Sequence, residues 1–119
     1  MVRTEEFLRI AMAAVEAKKA IEPVILDMTK LTPIFDYFLI CSGQTAIQVR
    51  TIADNLQQEL DQAGLVMLRK EGAHEGRWVL LDYGWFVAHV MQQYEREFYQ
   101  LERLWHDAER LALSSEAAP

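Results

Sequence analysis

Four groups of side chains in this sequence could take part in chemistry. Ser42-Gly43-Gln44-Thr45 lies between an apolar run and an amphipathic one, in the order strand, glycine-containing turn, helix start. Free backbone N–H groups at such a start can hold an anion such as phosphate. The stretch lacks the several glycines and the lysine of a P-loop, and strand exit with a helix cap is the simpler reading. Asp82 could hold magnesium together with Asp36 or Asp27, as phosphoryl transfer needs converging carboxylates. No Asp-x-Asp or Asp-x-Glu spacing accompanies Asp82, however, and the Tyr83-Gly84 that follows it favours a turn role. His74, His89 and His106 have no neighbouring His or Cys at zinc-ligand spacing. His89 reads as a half-buried sheet residue. Cys41 sits inside an apolar run and reads as a small hydrophobe rather than a nucleophile. No catalytic residue, metal or cofactor is expected.

The elements that would position these groups centre on Trp78 to Met91. Two apolar runs flank Asp82-Tyr83-Gly84, which predicts a β-hairpin. Trp78 and Leu80 alternate with Val79 and Leu81, and both sets are apolar, so both faces of the hairpin need cover. Thr4 starts a first helix bearing Leu8, Met12 and Val15, which Pro23 ends near Ala20 to Glu22. Val24 to Met28 and Asp36 to Ser42 are strands. Thr45, with Gln48 as its capping partner, opens a second helix with Val49, Ile52, Ala53, Leu56 and Leu60 on its buried side, stopped by Gly64. Leu65 to Lys70 is a third strand, expected to run parallel to the second through a right-handed crossover. After the hairpin, Tyr94, Phe98, Leu101 and Trp105 mark one face of a last helix.

The resulting expectation is a single α/β domain over residues 1–110, with a mixed five-stranded sheet and three helices in the order α-β-β-α-β-β-β-α, and a flexible tail over 111–119. Two long helices cover one face of such a sheet, and the third is too short to cover the other. Apolar surface is left for a partner.

Composition narrows the partner. At 119 residues, 51% hydrophobic and 25% charged, the chain is an ordinary globular domain with no run long enough to span a membrane. The single cysteine excludes an internal disulfide and favours a reducing compartment, here the cytoplasm. A net charge of −6 with 12 scattered basic residues argues against a grip on nucleic-acid phosphates. It suits a basic protein surface instead.

Asp36-Tyr37-Phe38-Leu39-Ile40-Cys41-Ser42-Gly43, Gln48-Val49 with Ile52-Ala53-Asp54, and Glu71-Gly72 stand in order with Trp78 to Gly84 and His89-Val90. Phe98-Tyr99-x-Leu101-Glu102-x-Leu104-Trp105-x-Asp107-Ala108 completes the set. Together these resemble the ribosomal silencing factor (RsfS, or Iojap) family over residues 5–108. The resemblance implies a domain shaped like nucleotidyltransferases without their catalytic equipment. It also implies binding to the large ribosomal subunit at its protein number fourteen, blocking subunit joining and damping translation under nutrient shortage. Two positions depart from the family pattern: Trp85 stands where an acidic residue is common, and Met91 where a Phe is common.

The contact surface expected from the surplus of aromatics beside carboxylates is Trp78, Leu80, Asp82, Tyr83, Tyr99, Glu102 and Trp105. Little direct contact with RNA is expected. The alternatives are an enzyme of the nucleotidyltransferase type, with phosphate at Ser42 to Thr45, and a dimerisation module whose sheet pairs with a second copy to give a homodimer when free.

Overall fold

A helix needs an unbroken apolar stripe at every third or fourth residue, and two stretches of the chain supply one. In the computed structural model, which describes residues 4–113, they are α1 (Thr4–Ala17) and α2 (Ala46–Gln62). Leu8, Met12 and Val15 of α1 and Val49, Ile52, Leu56 and Leu60 of α2 are buried together against one face of the sheet. Thr45 caps α2 as its sequence suggests, its Oγ1 accepting the Gln48 N–H at 3.1 Å. Helix α1 ends earlier than Pro23 requires. Lys19 takes a left-handed φ of 61°, and the chain turns directly into β1 (Ile21–Asp27).

Pro23 lies inside β1, where the register with the next strand slips between Ile21 and Val24. A bulge is where a strand tolerates a residue with no N–H to donate. The remaining strands are β2 (Tyr37–Gly43), β3 (Arg69–Glu71), β4 (Trp78–Asp82), β5 (Phe86–Gln92) and β6 (Glu109–Leu111). They form one mixed sheet in the order β3-β4-β5-β2-β1-β6.

The β4–β5 hairpin stands as its alternation predicts, with Trp78 opposite Met91 and Leu80 opposite His89. Gly84 supplies the turn's φ of 89° and donates its N–H to Asp82 Oδ1 at 2.8 Å.

Three expectations are corrected. The sheet has six strands among the described residues, not five. The sixth, Glu109–Leu111, pairs antiparallel with β1 where the expected tail begins; residues 114–119 of that tail lie outside the described residues. The third strand shrinks from the expected Leu65 to Lys70 to Arg69–Glu71; it does run parallel to β2, as expected, but the strand paired with β2 is β5, with Tyr37 opposite Phe86. Strand β3 is instead a three-residue edge paired with β4, so the α2 crossover passes over two strands. Finally, the last helix is broken. Gln100 adopts φ 48°, ψ 55° and separates α3 (Gln93–Tyr99) from the single turn α4 (Leu101–Leu104). The break turns Leu101 and Trp105 onto the sheet while Tyr94 and Phe98 stay outside.

Candidate functional site

The second face of the sheet carries a smaller core of Leu26, Met28, Phe38, Ile40 and Val87, against which Leu80, Leu101 and Trp105 pack half-buried. Helices α3 and α4 cover it only in part. Tyr94, Phe98, Tyr99 and Leu104 remain 70%, 68%, 52% and 66% exposed. The three aromatic rings among them form a continuous run with Trp78. Tyr94 stacks on Phe98 at 6.3 Å, Phe98 meets Tyr99 edge-on at 5.0 Å, and Tyr99 leans on Trp78 at 5.1 Å. Large apolar side chains left in water at this density make the patch the candidate contact surface.

Trp78 reaches this surface from β4, held from behind by His89, whose Nδ1 accepts the indole N–H at 3.1 Å. His89 is only 7% exposed, and burial pushes its pKa down to about 4. Gly72 helps set the start of β4, since a Cβ there would collide with the Trp78 carbonyl oxygen.

The seven residues expected to contact a partner do not form one surface. Trp78, Leu80, Tyr99 and Trp105 share the half-covered face, with Trp105 set inward edge-on to Phe38. Asp82 sits at the strand end. Its carboxylate is committed to the Gly84 N–H and to Arg69 at 3.1 Å. Tyr83 belongs to the opposite, larger core; burial raises its pKa to about 12, and its hydroxyl has no hydrogen-bond partner. Trp85 also lies on that side, against Phe7 and Tyr37.

Glu102 is occupied structurally. It accepts from buried Arg96 at 2.8 Å. The same guanidinium donates to the carbonyls of Ile21 and Glu22, both at 2.7 Å, and to Ser42 Oγ at 3.1 Å. Arg96 thus ties α3 and α4 to the β1 bulge and the end of β2. Nothing in the spacing of Gln93 to Tyr99 singles it out as buried. Tyr94 and Phe98 would turn inward on a continuous helix, so their exposure, like that of Leu104, follows from the break at Gln100 and has no signal in the sequence.

The other candidate chemistry is already engaged. The Gln44 N–H, one donor an anion at the Ser42–Thr45 turn would use, is taken by Gln48 Oε1 at 2.7 Å. Asp27 accepts from the backbone and hydroxyl of Thr29. Among the described residues no three His, Cys, Asp or Glu side chains stand close enough to hold a metal ion. Cys41 is buried, and desolvation pushes its thiol up to about 12 despite the opposing charge of Arg96. No described helix is long and apolar enough to cross a membrane.

Residues 2–119 match the family described as "Ribosomal silencing factor during starvation". The chain belongs to the RsfS family. Curated RsfS proteins of Halalkalibacterium halodurans and Bacillus subtilis are each 42% identical to it, over 92% and 87% of this chain and 93% and 88% of their own. A protein of Arabidopsis thaliana named Iojap-related and mitochondrial is 32% identical over 59% of this chain and 40% of its own.

The fold agrees with two solved structures. A Chromobacterium violaceum protein superposes with a TM-score of 0.86 at 32% identity, covering 96% of both chains. A Bacillus halodurans protein superposes at 0.81 and 39% identity, covering 92% of this chain and all of its own. The RsfS name is that of a regulatory factor, and the side chains found here, aromatic and outward-facing rather than acidic and converging, suit binding.

Proposed function

We propose that this RsfS-family chain acts in the cytoplasm by binding the large ribosomal subunit at its protein number fourteen, where it sterically prevents the small subunit from joining and so represses translation when nutrients are short. The observation that carries this is the aromatic run from exposed Tyr94, Phe98 and Tyr99 to half-buried Trp78 on the half-covered face. Such anchors supply most of the energy of protein interfaces. The net charge of −6 favours a basic protein as the counterpart. The nucleotidyltransferase-like shape implied by the family resemblance then serves as a scaffold for contact rather than for catalysis. The docking surface is Trp78, Leu80 and Tyr99, extended by Phe98 and Tyr94, with Trp105 supporting it from within.

The test is co-sedimentation with separated ribosomal subunits, together with light scattering of subunit joining. Trp78→Ala and Tyr99→Ala are each expected to cost about 2 kcal/mol of binding, roughly thirtyfold in affinity, and to relieve the block. Binding should weaken with salt, but less than the roughly 10³-fold loss between 50 and 200 mM of a protein that grips many phosphates. Folded variants that bind and block as well as the parent would remove this surface from consideration. Self-association that disappears in both variants, without any subunit binding, would assign it to a second copy of the chain instead.

A further inference from the structure

We propose that His89 is a positioning residue for docking: it takes the Trp78 indole N–H into the sheet, so that Trp78 and Tyr99 offer a partner carbon and π surface with no free indole donor. The inference deepens the proposed function and rests on Trp78 lying in the docking surface.

Trp78 and His89 are diagonal neighbours on the antiparallel β4–β5 pair, with Leu80 opposite His89 and Met91 opposite Trp78. An indole N–H can only donate, so its 3.1 Å contact requires His89 Nδ1 to accept. That fixes the neutral imidazole with its proton on Nε2. The imidazole is itself held in place, with Phe38 edge-on at 4.9 Å and the Trp78 ring at 5.9 Å on another side.

Nε2 is buried with no hydrogen-bond partner. An unpaired buried donor is destabilising, so a Phe of similar size would suit this sheet position better for packing alone. What the histidine supplies, and a Phe would not, is the acceptor for Trp78. Its use lies at the surface: with the N–H turned inward, the outward part of the indole sits against Tyr99 at 5.1 Å. A paired aromatic surface of this kind favours an apolar or cationic side chain of the partner over a carboxylate or a carbonyl.

The test compares His89→Phe and His89→Asn in the full chain, with Trp78→Ala as control. Two quantities are read: the Trp78 indole proton by NMR in the free protein, and large-subunit binding by co-sedimentation. Asn places an oxygen near the former Nδ1. His89→Phe is expected to shift the indole proton, speed its exchange with solvent by about tenfold or more, and weaken subunit binding roughly fivefold. His89→Asn should restore the protected indole signal and most of the affinity.

An unchanged indole signal in His89→Phe, or a changed signal with full affinity, overturns the proposal. If His89→Phe does not fold, the parent decides: a freely exchanging Trp78 indole proton there is equally fatal. Full affinity in Trp78→Ala would sink the docking surface itself. Weak binding by Trp78→Ala beside full binding by His89→Phe would sink only the role of His89.

Discussion

On the α1–α2 side of the sheet, Ile52, Leu56, Leu60, Val79 and Leu81 are fully buried, and each helix presents one unbroken apolar stripe to strands that mirror it. On the other side the same strands present Phe38, Ile40 and Val87, but the cover is a short helix, a left-handed Gln100 and one further turn. The first side keeps its apolar groups for itself. The second leaves Tyr94, Phe98, Tyr99 and Leu104 in water, and it holds three buried polar groups, Ser42, His89 and Arg96, that a self-contained core would omit. One face is closed by its helices, and the other is left open.

That contrast can be broken experimentally, and the largest effect should come from Arg96. Arg96→Ala leaves the Glu102 carboxylate and the Ile21 and Glu22 carbonyls without their shared donor. A loss of about 3–5 kcal/mol is expected, read from the urea midpoint. An unchanged midpoint would mean that α3 and α4 are not held in this way. Glu102→Lys would set a cation against Arg96 and is expected to damage the fold, so it is not a clean probe of partner contact.

Next in size is a pH effect. His89 has a pKa near 4 in the fold against an ordinary value of 6.5. As pH falls, the unfolded chain takes up this proton first. Its contribution is therefore fully present above about pH 6.5 and is lost down to about pH 4, by roughly 3 kcal/mol in all. Urea unfolding of the parent and of His89→Phe across this range should differ by that slope. Parallel curves would contradict the burial of His89.

Phe98→Ala sharpens the comparison from the exposed side. Stability should move by less than about 0.5 kcal/mol, while large-subunit affinity should fall roughly tenfold in co-sedimentation. A large loss of stability would place Phe98 in a core instead. The smallest effect is expected from Tyr83→Phe, which removes a buried hydroxyl that has no partner. A gain of up to about 1 kcal/mol in thermal unfolding, with binding unchanged, is the expected outcome. Weakened binding by a well-folded Tyr83→Phe would link the two faces.

Local signals carried much of this architecture into the sequence. Thr45 and Gln48 announce α2, and the double alternation around Asp82-Tyr83-Gly84 announces a hairpin apolar on both sides. What stayed hidden depends on contacts between distant residues. The Gln100 break has neither Gly nor Pro to mark it, and it accompanies the packing of Leu101 and Trp105 onto the sheet. Strand β6 is Glu-Arg-Leu, too polar and short to show a period. Arg96 looks like any helix-surface arginine until the β1 bulge turns two carbonyls toward it. The same limits shaped the reading of the site. The surplus of aromatics beside carboxylates points to Trp78, Tyr99 and Trp105 and equally to Tyr83 and Glu102, but the larger core takes Tyr83 and the Arg96 ion pair takes Glu102.

The parallel pairing of β2 with β5 has a consequence for the birth of the protein. The centre of the sheet joins Tyr37–Gly43 to Phe86–Gln92, so a growing chain holds its middle strand without a partner on that side until β5 has been made. Pairings between such distant segments close loops late and slowly. A product released before Phe86 lacks the strand that carries His89 and all of α3, and with them the support of Trp78. Interrupted synthesis therefore yields fragments that cannot present the aromatic surface.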